Sequence, residues 1–255
     1  MGAREGLCRA RQVTYSDEAH PGTASGSLAS YVTGVSHFSW GCRMDPAVTR
    51  LLTTERLGRY VRAGGSDQAG WALYVWNSQM CSAYLEALSW VEVGLRNATA
   101  DQMDQLRRSS DPKGEWLDPR SEWFSPWFQA GSVSNLRQAR SQAQRGAAGV
   151  VAGRVIAELT FGFWVRLYSR HYEASLWTPA LRHAFPAKMA RVTVHDQLLT
   201  LQRLRNRVAH HEPVFEQNHV ENLGRIIETM SWLDERFARA VEPELCFQKI
   251  LARRP

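Results

Sequence analysis

The sequence lacks several features that would place it in familiar protein classes. No apolar run is long enough to cross a bilayer, and the N-terminus has no continuous apolar stretch of the kind found in secretory signals. Its four cysteines, Cys8, Cys42, Cys81 and Cys246, show no C-x-x-C spacing, so a zinc site and a disulfide framework are not expected. Unpaired thiols are typical of a reducing compartment. We therefore expect a soluble, cytoplasmic protein that does not bind membranes.

Catalytic and ligand-binding motifs are also missing. The eight histidines show no H-E-x-x-H or other metal-ligand spacing. No glycine-rich phosphate-binding loop is present, which argues against a nucleotide hydrolase. The sequence therefore predicts no metal and no cofactor.

Lysine is scarce among the basic residues. Of 31 lysines and arginines only Lys113, Lys188 and Lys249 are lysine, and the formal net charge is +6. This charge permits an acidic partner such as nucleic acid, and the planar guanidinium suits phosphate binding. A uniform arginine excess more often reflects genomic base composition, so the charge alone does not identify a partner.

The N-terminal region differs in composition from the rest of the chain. Residues 1–45 are rich in Gly, Ser, Thr and Ala and have weak periodicity, so we expect a disordered extension. Met44 begins the first stretch typical of a domain, and translation could start there or at Met1. We expect residues 46–255 to form a single helical domain.

Apolar residues in this domain recur with helical spacing, and no segment alternates as a strand does. A proline-free run over 68–107 predicts a long central helix, after a shorter helix that Thr53 or Thr54 caps and that ends near Gly64-Gly65. Prolines and tryptophans over 109–133 predict a loop insertion anchored by aromatic residues. Further helices are expected at 134–146, 153–172, after Pro179, at 191–210 and over 217–251. The prediction is an all-α bundle.

The most informative segment is residues 201–213, at the end of the 191–210 helix. The buried stripe of this helix is predicted to be Val194, Leu198, Leu201, Leu204 and Val208. Asn206 and His210 share one face, whereas Arg203, Arg207 and His211 form a second, basic row. Pro213 disfavours helix at the residue before it, so the helix should end near the histidines.

Arginine and histidine together offer charge stabilisation and proton transfer, which phosphodiester transesterification requires. On an ideal helix, however, Arg205 and His210 point about 140° apart. A distorted last turn, or two copies meeting in a dimer, would bring them together. In the structural alternative the histidines cap the helix and Arg205 pairs with a neighbouring helix. Spacing alone favours that alternative.

The motif resembles a known family. Arg205-Asn206-x-x-x-His210 is similar to the R-x(4–6)-H signature of HEPN nucleases, and residues 204–213 resemble the C-terminal motif of the Abi-like (abortive infection) family. The segments 74–77, 92–97 and 158–164 occur in the order that such proteins show. The resemblance covers about 51–230.

This resemblance implies a dimeric HEPN helical bundle with metal-independent endoribonuclease activity. His210 would be the acid–base residue, Arg205 would hold the phosphate and Asn206 would orient the site. His211 also satisfies the loose spacing. The implied partners are substrate RNA and, as in relatives acting as toxins or in phage defence, a structured non-coding RNA or a protein antitoxin. The alternative is a non-catalytic RNA-binding or scaffold dimer.

Candidate supporting residues are His211, Arg207, Glu158, Arg96 and Asn97. Arg96-Asn97 repeats Arg205-Asn206, but Asp101 stands where the histidine would be. For Arg96 we favour an intrahelical ion pair with Glu92. For Glu158 we favour a buried hydrogen bond that orders the bundle. Gly162, between two phenylalanines, predicts close helix packing.

Overall fold

The computed structural model describes residues 45–110, 115–121, 128–145, 149 and 151–255. Within these ranges the chain is helical and contains no strand, so the predicted all-α class is confirmed. The described residues all belong to one compact unit, 42–255. None of their helices is long and apolar enough to span a bilayer. The predicted disordered extension, residues 1–45, lies outside the described residues except for its last position.

The α-helices of these ranges are, in chain order, α1 (Pro46–Leu52), α2 (Thr54–Gly64), α3 (Asp67–Ser110), α4 (Ala130–Gln144), α5 (Ala152–Glu158), α6 (Phe161–Arg166), α7 (Arg191–Ala209), α8 (His219–Leu233), α9 (Glu235–Val241) and α10 (Phe247–Leu251). Short 3-10 segments cover Arg170–Tyr172, Leu181–Ala184 and Glu242–Glu244, and a π-helical turn covers Glu173–Trp177.

Helix α3 is the centre of the bundle. Its 44 residues correspond to a length of about 66 Å at 1.5 Å per residue. The helices α2, α6, α7, α8 and α10 all pack against it, and its buried side chains recur at helical spacing along its length. The predicted long central helix is confirmed, and it holds the candidate site residues of α7 against a continuous core.

Two glycines shape the turn from α2 to α3. Gly65 ends α2 with a φ of 77°, and its N–H bonds to the Val61 carbonyl at 2.9 Å. This left-handed conformation is most accessible to glycine. At Gly70 a Cβ atom would lie 2.6 Å from Val61 Cα, so only glycine lets the two helices approach this closely. The predicted end of α2 is confirmed, whereas Thr53 occupies the N-cap position without a side-chain capping bond.

The segment after α3 is anchored by aromatic residues, as predicted. Trp116 is fully buried, and its indole N–H donates to Asp104 at 2.7 Å. Phe128 is also buried. The anchors expected at Trp123, Phe124 and Trp127 lie outside the described residues. Helix α4 begins at Ala130, earlier than the expected position 134.

The single helix expected over 153–172 is wrong. Helix α5 ends at Glu158, Leu159 is extended, and α6 begins at Phe161. Thr160 caps the second helix, because its hydroxyl accepts a hydrogen bond from the Phe163 N–H. A threonine between two apolar stretches interrupts the helix without disturbing the apolar period, and the period alone does not reveal such a break.

Candidate active site on the last turn of α7

Helix α7 has one buried face and one exposed face. The predicted stripe is buried at every position, Val194, Leu198, Leu201, Leu204 and Val208. Arg203, Asn206 and His210 are exposed. Helix α6 lies close to α7, since a Cβ at Gly162 would lie 2.7 Å from the amide nitrogen of Gln202. The core therefore fixes the rotation of α7 and directs the polar motif residues toward solvent.

Arg205 lies at the boundary between the two faces and contacts α3. Its Nε is 3.8 Å from the Glu92 carboxylate, and the two side chains are 39% and 24% exposed. This separation exceeds a hydrogen bond, and ion pairs of such exposure contribute little stability. The guanidinium is therefore positioned by Glu92 without committing its hydrogen-bond donors.

The same contact overturns one expectation. Glu92 was predicted to pair with Arg96, one turn later in α3, but its ion pair crosses to Arg205. Arg96 is half-buried, and its Nε has no hydrogen-bond partner among the described residues. Helical spacing permitted the intrahelical pair, but the packing of α7 on α3 supplied a competing arginine.

Helix α7 ends in a Schellman motif. The His210 N–H bonds to the Asn206 carbonyl at 3.0 Å, the His211 N–H to Val208 at 3.1 Å and the Glu212 N–H to Arg207 at 2.9 Å. His211 takes the left-handed position with a φ of 54°, which glycine usually occupies and which histidine tolerates better than most residues. His210 thus remains on the helical path, and the chain turns away only at His211.

This helix end tests the first of the two explanations for the motif geometry, a distorted last turn. Because His210 keeps its helical hydrogen bond, it remains about 140° from Arg205 around the helix axis. A distorted last turn therefore does not bring the two residues together.

The two histidines face different surroundings. The backbone carbonyl of His211 accepts a hydrogen bond from Arg56 Nη2 at 2.7 Å. His211 also lines a cleft of about 350 Å³ together with Arg56, Tyr74 and Cys81. His210 is exposed, and its side chain makes no hydrogen bond within the part of the chain that the structure describes. The αL turn thus separates the two candidates for acid–base chemistry.

Four side chains hold the segment after the helix, and we call Arg56, Asn77, Cys81 and Arg207 the latch. Arg56 donates to the backbone carbonyl of residue 211. The Cys81 thiol lies 3.9 Å from the carbonyl oxygen of residue 212, and Arg207 Nη1 donates to the carbonyl of residue 213 at 3.3 Å. The buried Asn77 side chain accepts from the N–H groups of residues 214 and 215 at 2.7 and 3.1 Å. The latch leaves few backbone groups of this turn without a partner.

Two members of the latch carry further information. Burial raises the pKa of the Cys81 thiol to about 11, so the thiol stays protonated and can donate. Arg207 also pairs with Glu212 at 3.5 Å, which gives this candidate supporting residue a structural role.

Two residues of the latch were not predicted from the sequence. Arg56 was not singled out, and Asn77 was included only within the segment 74–77, with no role assigned to it. The available signal was an asparagine at a buried position of an otherwise apolar helix face.

The other candidate supporting residues are not drawn into one cluster. Glu158 is exposed at the end of α5 and has neither a hydrogen bond nor an ion pair with any described residue, so the expected buried hydrogen bond is wrong. Asn97 is exposed on α3. The predicted close packing at Gly162 is confirmed.

A third histidine, which sequence analysis did not single out, is part of the core. His219 is 5% exposed, and its Nδ1 is 2.8 Å from the Tyr84 hydroxyl. That hydroxyl accepts from Asn222 Nδ2 at 3.1 Å, so it donates to Nδ1 and leaves the proton of the neutral ring on Nε2. Burial, followed by the charge of Arg254, lowers the pKa of His219 from 6.5 to about 4.

Among the described residues, no group of three or more His, Cys, Asp or Glu side chains is arranged to hold a metal ion. Comparison of the chain with protein-family models, curated proteins and solved structures found no match. Function is therefore inferred from the residues and their geometry.

Proposed function

We propose that this protein is a metal-independent endoribonuclease of the HEPN type, related to the Abi-like family. One observation carries the proposal. Asn206 and His210 are exposed at the end of α7, Arg205 lies at the edge of its buried face, and none of the three side chains makes a hydrogen bond with another described residue. Since polar groups with unused donors at a fixed position favour a polar ligand, this turn suits a phosphodiester.

The proposed reaction is an internal transesterification. The ribose 2′-hydroxyl loses its proton and its oxygen bonds to the adjacent phosphorus, while the bond from phosphorus to the 5′-oxygen breaks. The 5′-oxygen takes up a proton and leaves as a hydroxyl, so the products are a 2′,3′-cyclic phosphate and a 5′-hydroxyl end. His210 moves the proton, Arg205 stabilises the charge on the phosphoryl oxygens, and Asn206 orients the phosphate.

The angle between Arg205 and His210 supports a site built from two copies of the chain. One copy presents the two side chains about 140° apart, so His210 of one subunit and Arg205 of the other would complete a shared cleft. Two apolar side chains on α3, Leu85 and Val93, are each 39% exposed, and their burial would favour association. In sedimentation analysis the active species should be a dimer, and a fully active monomer would contradict this arrangement.

The resemblance to Abi-like proteins supports a role as a toxin or in phage defence. In that role the nuclease would be restrained by a structured RNA or a protein antitoxin. Purification with such a partner would mask the activity, so the assay needs inhibitor-free protein.

The decisive experiment incubates purified protein with single-stranded RNA in excess EDTA and analyses the new ends. Cleavage with 2′,3′-cyclic phosphate ends is expected, and the His210→Ala variant serves as the control for contaminating nuclease. A strict requirement for a divalent ion in the chemical step would overturn the proposal.

The second candidate function is a non-catalytic RNA-binding dimer. The contact between Arg205 and Glu92 favours it, because an arginine paired across helices can act as a structural residue. Binding of RNA by inhibitor-free protein without any cleavage would select this function.

A further inference from the structure

A polar concavity adjoins the candidate active site, since Asn206 is one of its lining residues. It has a volume of about 400 Å³, within the range of small-ligand sites. Its lining residues are Thr200, Arg203, Leu204, Asn206, Arg207, Glu212, Gln217 and Asn222. Helix α7 supplies one wall, and the turn before α8 and the start of α8 supply the other. The concavity therefore lies between two elements that the core holds in place.

The walls of this concavity are rich in carboxamides. Gln217 is half-buried, and its side chain has no hydrogen-bond partner in the described ranges. Asn222 donates from Nδ2 to Tyr84 at 3.1 Å, which fixes its orientation and leaves its amide oxygen unused. Asn206 contributes a third amide from α7. Several amides with unused hydrogen-bonding groups thus border a single space.

The charged residues of the concavity divide into two kinds. Arg207 is committed to Glu212 at 3.5 Å and to the Pro213 carbonyl at 3.3 Å. Arg203 is exposed and makes no ion pair or hydrogen bond with a described residue. The apolar member of the lining is Leu204, which is 6% exposed. Amide groups, one apolar side chain and one uncommitted cation suit a flat heterocycle attached to a phosphate.

We infer that this concavity is a nucleobase subsite, which rests on the proposed ribonuclease function and extends it to the choice of cleavage position. It would receive one unpaired nucleotide, since single-stranded bases expose the edges that side chains can read. A carboxamide presents a donor beside an acceptor, which matches an adenine edge, so Gln217 is the reading residue. Arg203 contacts the flanking phosphate.

The position of Asn206 links the subsite to the chemistry. Asn206 lines the concavity and lies one helical turn before His210, at a Cβ separation of about 5–6 Å. A base in the subsite therefore places its own ribose and phosphate beside the acid–base residue. The enzyme should cut next to the nucleotide that it reads.

The test compares cleavage of single-stranded RNAs that carry each of the four bases beside one cleavable position. We expect adenine to be preferred by about 10-fold or more. The Gln217→Ala variant should lose most of this preference while still cleaving. Gln248→Ala, at an exposed glutamine of α10, is the matched control and should keep it. A wild-type preference in the Gln217→Ala variant would overturn the subsite and leave the nuclease proposal intact.

A binding experiment separates the two proposals. The His210→Ala variant is titrated with fluorescent 12-nucleotide oligo-A and oligo-U, with and without the additional Gln217→Ala change. If oligo-A binds more tightly and Gln217→Ala removes the difference, the subsite is supported even where the wild-type protein cuts no RNA. If Gln217→Ala alters neither binding nor cleavage preference, the subsite is wrong.

Discussion

The same tripeptide, Leu-Arg-Asn, occurs in α3 at residues 95–97 and in α7 at residues 204–206. Both leucines are buried, both arginines are half-buried and both asparagines are exposed. Helical periodicity therefore gives the two copies the same relation to the core. Identical local sequence and burial nevertheless leave them with different chemical surroundings.

The two copies differ in the structure that comes after each of them. Helix α3 continues to Ser110, whereas α7 ends at Ala209, three residues after its asparagine. The second copy therefore precedes an exposed histidine, a left-handed turn and the latch. Glu92 of α3 contacts Arg205 and not Arg96. A motif becomes a candidate site here because a helix end and a neighbouring helix surround it.

The largest effect should come from His210, which the first copy lacks. His210→Ala should reduce RNA cleavage by about 10²–10⁴-fold through loss of acid–base catalysis, while RNA affinity survives because arginines supply it. His211→Ala should be milder, since that residue turns away from the motif. Single-turnover assays measure both. The reverse ranking would move the acid–base role to His211.

Arg205 should rank next. Arg205→Ala removes charge stabilisation of the transition state, and we expect cleavage to fall by about 10²–10³-fold together with weaker RNA binding. Arg236→Ala, at an exposed arginine of α9, is the matched control for loss of one positive charge. Equal effects of the two substitutions would show that Arg205 contributes only its positive charge and makes no specific contact with the transition state.

The latch should matter mainly for stability. Asn77→Ala leaves two buried N–H groups without their acceptor, and each such loss costs about 1–3 kcal/mol. We expect the free energy of unfolding to fall by about 2–4 kcal/mol, measured by urea denaturation. Gln79→Ala, at an exposed neighbour in α3, should change it little. If Asn77→Ala lowers the free energy of unfolding no more than this control does, the Asn77 side chain does not stabilise the turn.

The buried histidine should make stability depend on pH. Because the pKa of His219 is lowered from 6.5 to about 4 on folding, the unfolded chain takes up this proton first as the pH falls. The contribution to stability is full above pH 6.5 and is lost between about 6.5 and 4, by up to about 3 kcal/mol. In the His219→Gln variant, the free energy of unfolding should depend less on pH over this range. An unchanged slope would assign the effect to other groups.

The smallest effect compares the two asparagines directly. Asn206→Ala should lower cleavage by about tenfold, the equivalent of one hydrogen bond in the transition state. Asn97→Ala should leave cleavage unchanged if its copy of the tripeptide is structural. Similar losses in both variants, measured as kcat/KM, would make Asn97 a supporting residue of the site.

Sequence reasoning predicted the long helix and the buried stripe of α7 because apolar periodicity reports directly on burial along a continuous helix. It failed at the break between α5 and α6, where Thr160 caps the start of a second helix without disturbing that period. It also assigned Glu92 to the wrong arginine, because spacing within one helix carries no information about a neighbouring helix. Arg56 could not have been found, since it lies 155 positions from the carbonyl that it binds.

The sequence by itself therefore determined the helical class, the rotation of α7 about its axis and the chemical types of residue that this helix exposes. Each of these results from local propensity and from the burial of one apolar face. Tertiary structure alone decided that Arg205 contacts Glu92, that side chains from α2 and α3 bind the turn after α7 and that Gln217 and Asn222 border the same concavity as Asn206. These pairings join residues distant in the chain, and only the packing of whole helices brings them within reach of one another.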